Sequence, residues 1–244
     1  MRVAVQITVL TYNIHKAIGN DRQFNPDRIA RICEDEGADI IALQEVDSGV
    51  PRSHHQDLAS VLAQKLGFAY RLGLNVQLKV GAYGNATLSR WPFLLGENLD
   101  LTWTIKKRRG CLSDVIETPC GPLLAMNFHL GLSRIERHFQ IKKMLESGIL
   151  REHRSLPVVL LGDSNERTRY LDIFMNIAGY RNAAGALKRK IKTWPSFAPI
   201  WNLDKIFHNE RCAVIQYEVV KTPLTRVASD HFPVKAVLKI SDLI

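Results

Sequence analysis

The chain has 244 residues, 46% of them hydrophobic, and a formal net charge of +9 at pH 7. That is enough apolar material for one large core, and no apolar run approaches the ~20 residues a membrane-spanning helix needs. The charge suits an anionic partner: nucleic acid, anionic lipid head groups or phosphorylated small molecules.

Residues 1–10 carry one Arg and pass straight into a strand-like pattern, without the apolar stretch and cleavage site of a signal peptide, so the chain reads as cytoplasmic. Residues 3–10 predict a strand that hands over to Thr11-Tyr12-Asn13-Ile14-His15, with polar Asn13 at its end. Asn25 as N-cap and Pro26 as first helical residue open a helix striped with Ile29, Ile32 and Cys33. Residues 38–43 predict a buried strand running into Gln44-Glu45-Val46, which sets Glu45 at a strand end. A helix over 55–66 carries Leu58, Val61, Leu62 and Leu66 at helical spacing. Residues 70–80 and 93–105 read as extended, and 84–90 as a short strand broken by Trp91-Pro92. Lys106-Lys107-Arg108-Arg109 is either a solvated hairpin turn or a phosphate-contacting loop.

A strand over 123–128 delivers Asn127 and His129 on one face, two residues apart. Ser133-Arg134-Ile135-Glu136 reads as a capping box opening a long helix to about residue 153. Val158-Val159-Leu160-Leu161 is a strand buried on both faces, ending at Gly162. Beyond it, alternation turns Asp163 and Asn165 the same way and Ser164 away. A helix over 168–178 follows, then a second basic cluster, Lys188, Arg189, Lys190 and Lys192, before Thr193-Trp194-Pro195. Trp194 reads as core packing. A strand over 203–207 sets Asp204 among apolar residues, and Ser229-Asp230-His231 precedes a last strand over 234–240. With no repeat, low-complexity tract or linker, residues 1–244 read as one domain. Cys33, Cys111, Cys120 and Cys212 form no Cys-x-x-Cys pair, so a thiol-rich zinc site is not expected.

Asn13, Glu45, Asn127, His129, Asp163, Asn165, Asp204, Asp230 and His231 thus sit almost entirely at strand ends. If two sheets pack face to face, the ends on one edge converge on one pocket. Oxygen donors with few thiols favour a hard cation such as Mg²⁺. Histidine supplies a proton or hydrogen bond near neutral pH, and amides supply donors for a charged transition state. These are the parts for metal-assisted hydrolysis of a phosphate ester.

Thr-Tyr-Asn13-Ile-His, Leu-Gln-Glu45-Val, Asn127-Phe-His129, Gly-Asp163-Ser-Asn165, Leu-Asp204-Lys-Ile and Ser-Asp230-His231 occur in the order found in the endonuclease/exonuclease/phosphatase superfamily. From about Val9 to Pro233 the chain resembles that family, which includes pancreatic-type deoxyribonuclease, abasic-site endonucleases, inositol polyphosphate 5-phosphatases and neutral sphingomyelinases. It is most similar to short bacterial members, which share patterns like Gly84-Asn85-Ala86 to Arg90 and Thr193-Trp-Pro. The resemblance implies an α/β fold, a four-layer sandwich of two packed mixed β-sheets flanked by helices. It implies that Glu45 binds Mg²⁺ (or Mn²⁺) with Asn13 and Asp230 completing or supporting the site. It implies that Asp163 activates the attacking water and that Asn165 holds the scissile phosphate. His231, oriented by Asp204, would donate to a phosphate oxygen or protonate the leaving group, and Asn127 and His129 complete the catalytic set. Arg90 and Arg109 are candidate phosphate clamps. The other histidines, His15 among them, read as ordinary surface or core residues.

Two departures from family patterns bear on substrate. Abasic-site endonucleases have Gln-Glu-Thr-Lys where this chain has Gln44-Glu45-Val46-Asp47, and Asn-x-Tyr where it has Asn127-Phe-His129, which argues against abasic-site repair. The family's bulky apolar residue is Ser164 here, on the face turned from the site, where it should matter little. The basic composition favours nucleic acid as substrate, with a lipid head group or small phosphate as the alternative, although no membrane-binding helix or loop stands out. A catalytically dead binding module on the same fold would have lost motif residues, and none is lost.

Overall fold

The two apolar runs at 38–43 and 158–161 do become buried strands, and each lies at the centre of a sheet. In the computed structural model, which describes residues 5–186 and 191–240, the strands in chain order are β1 (Gln6–Asn13), β2 (Ile40–Ser48), β3 (Ala69–Gln77), β4 (Ala82–Ser89), β5 (Phe93–Asp100), β6 (Gly110–Thr118), β7 (Gly121–His129), β8 (Val158–Asp163), β9 (Arg181–Asn182), β10 (Asp204–His208), β11 (Cys212–Val219) and β12 (Val234–Ile240). They form two six-stranded sheets, in the orders β11-β12-β1-β2-β4-β3 and β5-β6-β7-β8-β10-β9. Both are mixed: β1 and β2 pair in parallel, as do β7 and β8, and their other neighbours are antiparallel.

Three apolar layers hold the sandwich together. Between the sheets, Ile7, Val9, Ile40 and Ala42 pack against Leu123, Ala125, Val159 and Leu161. Outside the first sheet, Leu10, Tyr12, Ile41 and Leu43 meet α1 (Pro26–Asp35) and α2 (Leu58–Leu66). Outside the second, Leu124, Met126, Val158 and Leu160 meet α3 (Arg134–Leu145), α4 (Gly148–His153) and α5 (Tyr170–Ile177). This is the four-layer sandwich expected. Period-2 alternation sends successive side chains into different layers, which is why the central strands are apolar on both faces.

Several predicted elements change. The helix expected from 55 begins at Leu58, because Asp57 accepts from Ser60 N at 3.1 Å while His54 and His55 take left-handed φ of 53° and 58°. The long helix after Ser133 is two. Ser147 is extended (φ −63°, ψ 148°) and its hydroxyl donates to the Met144 carbonyl, which closes α3 before α4 starts at Gly148. Only half of the capping box forms: Ser133 Oγ accepts from Glu136 N, while the Glu136 carboxylate accepts from Gln140 Nε2. Strands β6 and β11 and the short α6 (Pro223–Ala228) had no clear periodic signal. In β11 a bulge between Val214 and Gln216 interrupts the alternation.

Candidate active site

Sheet register assembles the site. In the first sheet Asn13 lies opposite Gln44, and Gln44 opposite Asn85. In the second, His129 lies opposite Asp163, and Asp163 opposite Asp204. Each row is the polar end of an otherwise apolar inner face, as in Val9-Thr11-Asn13 or Val159-Leu161-Asp163. The rows meet across the sandwich where Asn13 Nδ2 donates to Asp163 Oδ2 at 3.0 Å.

The second row carries the charge. Asp163 is 1% exposed; its Oδ1 accepts from Asn165 N at 2.9 Å. Burial pushes its pKa up to about 6, against the pull of His231. His231 Nδ1 lies 2.9 and 3.1 Å from the two oxygens of Asp204, which fixes the proton on Nδ1 and leaves Nε2 facing Asp163 at 3.7 Å. Burial alone would lower the His231 pKa; the carboxylates of Asp204 and Asp163 outweigh it and raise it well above the ordinary imidazole value. His129 is the opposite case. Burial and the Arg109 guanidinium hold its pKa well below the ordinary value. Arg109 Nη1 lies 2.9 Å from His129 Nε2, and a guanidinium can only donate, so Nε2 is the acceptor and the ring is neutral. The 3.5 Å approach of His129 to Asp163 is therefore no ion pair.

Simple alternation does not hold past Asp163. Asn165 takes a left-handed φ of 49°, and its amide donates to the Leu130 carbonyl at 2.9 Å. Ser164 is not idle: its N and Oγ both donate to the Leu203 carbonyl, stitching the end of β8 to the start of β10. At Gly162 a Cβ would stand 1.9 Å from the Phe128 carbonyl oxygen, so only glycine lets β7 and β8 close at this level.

Glu45 is set by a bulge. The β2–β4 register slips between Gln44 and Val46, and Glu45 takes a left-handed φ of 58°, which re-aims its side chain out of the strand's alternation. Burial would raise its pKa, but nearby cations hold it well below the carboxylate range. Since His129 is neutral, that effect falls to Lys16, whose ammonium pairs with Glu45 Oε2. Lys16 sits in a run of left-handed residues, His15, Ala17 and itself, with φ of 45°, 58° and 62°. His15, read from sequence as ordinary, donates its N–H to Asn13 Oδ1 at 3.1 Å. Apart from Lys16, Glu45 Oε2 is a buried oxygen with no hydrogen-bond partner. A buried carboxylate paired with one ammonium, with further oxygens on Asn13 and Asp230, fits a hard divalent cation. Asp163, Asp204 and His231 also place ligand atoms within 4.8 Å of one another. There, however, Nδ1 of His231 is already spent on Asp204, so that trio is a hydrogen-bonded network.

Three expectations are corrected. Arg90 lies at the far end of the sheet, where Ser89 pairs with Ile40; its Nε bonds Asp39 Oδ1 at 2.8 Å, so it cannot clamp a phosphate in this cleft. Asn127 has no exposed surface. Its amide donates to the Leu43 and Ala86 carbonyls and its oxygen accepts from Gln44 Nε2 at 2.8 Å, so it bridges the sheets beneath the cleft. Trp194 is not core: it is half-buried, and its indole N–H donates to Asp230 Oδ2 at 3.1 Å. Arg109, by contrast, belongs to the site. It is 6% exposed, and its Nε is a buried donor with no partner. Of the second basic cluster, Lys188, Arg189 and Lys190 lie outside the described residues. Asn127→Ala should cost about 2–5 kcal/mol, since it removes three buried hydrogen bonds, two to main-chain carbonyls and one from Gln44, which keeps only Thr11 Oγ1 and the Ala42 carbonyl. Urea unfolding measures this, and a loss below ~1 kcal/mol would refute the bridging role.

A two-sheet sandwich with this acid, amide and histidine set at one edge is the architecture of a phosphate-ester hydrolase of the deoxyribonuclease I type. The model of the Endonuclease/Exonuclease/phosphatase family matches residues 10–231, and the chain belongs to that family. It is 30% identical over 249 residues to the uncharacterized protein YbhP of Escherichia coli (strain K12), covering 93% of this chain and 94% of YbhP. The fold superposes on the endonuclease/exonuclease/phosphatase of Beutenbergia cavernae DSM 12333 with a TM-score of 0.78, at 22% identity, over 97% of this chain and 72% of that one. It also superposes on the mannosyl-6-phosphatase of Bacteroides thetaiotaomicron VPI-5482 with a TM-score of 0.75, at 20% identity, over 95% of this chain and 99% of that one. At those identities the two structures speak for the fold alone. Among the described residues no helix is long and apolar enough to cross a membrane.

Proposed function

We propose that the protein is a Mg²⁺- or Mn²⁺-dependent phosphodiesterase working by in-line attack of an Asp163-activated water. The observation that carries this reading is the row His129–Asp163–Asp204 with His231 bonded to Asp204. It brings a carboxylate of raised pKa beside a charged imidazole. Asp163, with a pKa shifted toward neutrality, is a stronger base than a surface aspartate, and Asn165 N and Asn13 Nδ2 hold its two oxygens in place. The second amide hydrogen of Asn165 and the unspent Nε–H of Arg109 are donors for the scissile phosphate. His231 presents a charged N–H from Nε2 to the phosphate as negative charge develops. Glu45, with Asn13 and Asp230, would hold the divalent ion, which supplies Lewis-acid stabilisation of a phosphate oxygen.

The test uses purified protein and bis(p-nitrophenyl) phosphate. Hydrolysis should need Mg²⁺ or Mn²⁺ and vanish in excess EDTA; full activity in EDTA would refute the reading. Glu45→Gln should weaken Mn²⁺ binding, read by calorimetry, by more than the ~10- to 100-fold that loss of a merely supporting residue costs. An unchanged affinity would mean the ligand is misassigned.

Two substrate readings have separate support. The net charge of +9 favours nucleic acid. Ile105, Leu132 and Ile135, exposed near Arg109 and Leu130, favour a lipid phosphodiester.

A further inference from the structure

The loop between β5 and β6 and the start of α3 stand side by side at the mouth of the cleft. Arg109, at the end of that loop, bonds His129, and the Lys107 ammonium is near enough to bear on the same ring. On the other side, Leu130 accepts from Asn165, and Leu132 follows two residues later. Ile105 at the loop tip is 101% exposed, Leu132 75%, Ile135 61% and Phe139 46%. Ile135 and Phe139 are four residues apart on α3 and share one face. Trp103 stacks on Phe139 at 5.3 Å with an interplanar angle of 11°, which ties loop and helix into one surface. Exposed large apolar residues gathered on one face in this way mark an interaction surface.

The patch has a basic border. Lys106, Lys107 and Arg108 are exposed beside Ile105, and Arg134 and Lys143 are exposed on α3. Across the cleft, the loop that carries Trp194 onto Asp230 exposes Phe197 and Ile200, with Arg226 donating to the Phe197 carbonyl.

We infer that this face docks on an anionic bilayer, with Trp103, Ile105, Leu132, Ile135 and Phe139 entering the head-group boundary and the bordering cations on anionic lipid. The inference rests on the phosphodiesterase reading only for its consequence: docking presents the cleft to phosphodiesters of lipid head groups. Aliphatic side chains paired with Trp, Phe and a Lys/Arg border are the composition of an interfacial surface. Nucleic acid fits less well. Ile105, Leu132 and Ile135 neither stack on bases nor bond phosphates, and Trp103 already spends one ring face on Phe139. A second copy of the chain fits less well too, because a two-fold contact would set this basic border against itself.

The test is sedimentation of the full chain with vesicles, in EDTA so that no turnover intervenes. One set is phosphatidylcholine, the other phosphatidylcholine mixed with phosphatidylglycerol. The protein should bind the mixed vesicles and leave phosphatidylcholine largely unbound. The double variant Ile105→Ser, Leu132→Ser should bind the mixed vesicles at least ~10-fold more weakly. Its circular dichroism and its hydrolysis of bis(p-nitrophenyl) phosphate should be unchanged. Brominated lipid should quench fluorescence in the wild type and less in Trp103→Phe. No preference for the anionic vesicles, or equal binding by the double variant, overturns the inference. So does a double variant that loses affinity for a labelled DNA duplex and not for vesicles, which would make the face a nucleic-acid surface. Failure to hydrolyse the soluble diester would strike the catalytic reading and leave the vesicle result standing.

Discussion

His231→Ala and Asp204→Asn are each expected to lower kcat/KM by about 10²- to 10⁴-fold, the range for losing one well-placed proton donor or oxyanion donor. The reason is their geometry. Asp204 is fully buried, and both of its oxygens lie within 3.1 Å of His231 Nδ1. An unpartnered carboxylate there would be costly, and the imidazolium removes that cost while aiming Nε2–H at the cleft. Asparagine at 204 keeps the shape but removes the charge that holds the ring protonated. Because the two residues act as one unit, the double variant should be little worse than either single. Steady-state kinetics on the three variants, with circular dichroism as a folding control, decide this; strictly multiplicative losses would reduce Asp204 to a structural role. The pair also has a stability signature. A histidine pKa raised by folding stabilises the fold fully below about 6.5, the free imidazole value. That contribution fades as pH climbs through the raised folded value. The deficit of His231→Ala in urea unfolding should therefore be largest in acid and shrink in alkali.

Asp163→Asn should be the most damaging single change to turnover, by about 10⁴-fold, since it removes the proposed base and keeps the fold. Residual activity should also lose its acid limb. With the Asp163 pKa raised to about 6, the base is protonated below that pH, so wild-type kcat/KM should fall as pH drops through this region. A bound divalent cation moves the limb lower, and the limb is absent from the variant in either case. Stability should move the other way. A carboxylate whose folded pKa exceeds its unfolded one of about 3.9 costs stability as pH rises between the two values. In EDTA, Asp163→Asn should therefore raise Tm at pH 7 and change it little at pH 4. A variant that keeps the acid limb, or that is destabilised at pH 7, would mean that another group titrates and that Asp163 is not a strained base.

What could be read from residue order is set by local geometry. The inner faces Val9-Thr11-Asn13, Ile40-Ala42-Gln44, Leu123-Ala125-Asn127 and Val159-Leu161-Asp163 each pass from apolar to polar along a strand. Strand alternation alone therefore locates a polar edge on an apolar sandwich. The same reasoning stops at every position where the backbone leaves the strand. Glu45 was legible as an acid at a strand end, but only the bulge at φ 58° aims it at Lys16. Lys16 itself carried no signal, because its left-handed backbone and its pairing with Glu45 of the next strand follow from no local period. Arg109 was legible as a candidate clamp in a cluster of four cations, and only the pairing of Gly110 with His129 carries it inward. Arg90 was equally plausible as a clamp until the antiparallel register put it beside Asp39, at the opposite end of β2.

Asn127 marks the boundary. Its residue type and its spacing from His129 are local facts, and they place it on the inner face. Whether an inner-face amide lines the cleft or bridges the sheets depends on what stands opposite, and here that is Gln44, 83 residues away. The exposed face of Trp103, Ile105 and Phe139 is likewise a tertiary product, since the stack joins residues from a loop and a helix. Residue order determined the family, the polar edge and the chemical parts. Register, bulges and contacts across the sandwich decided which parts reach the cleft, because those depend on pairings between distant residues that no local period encodes.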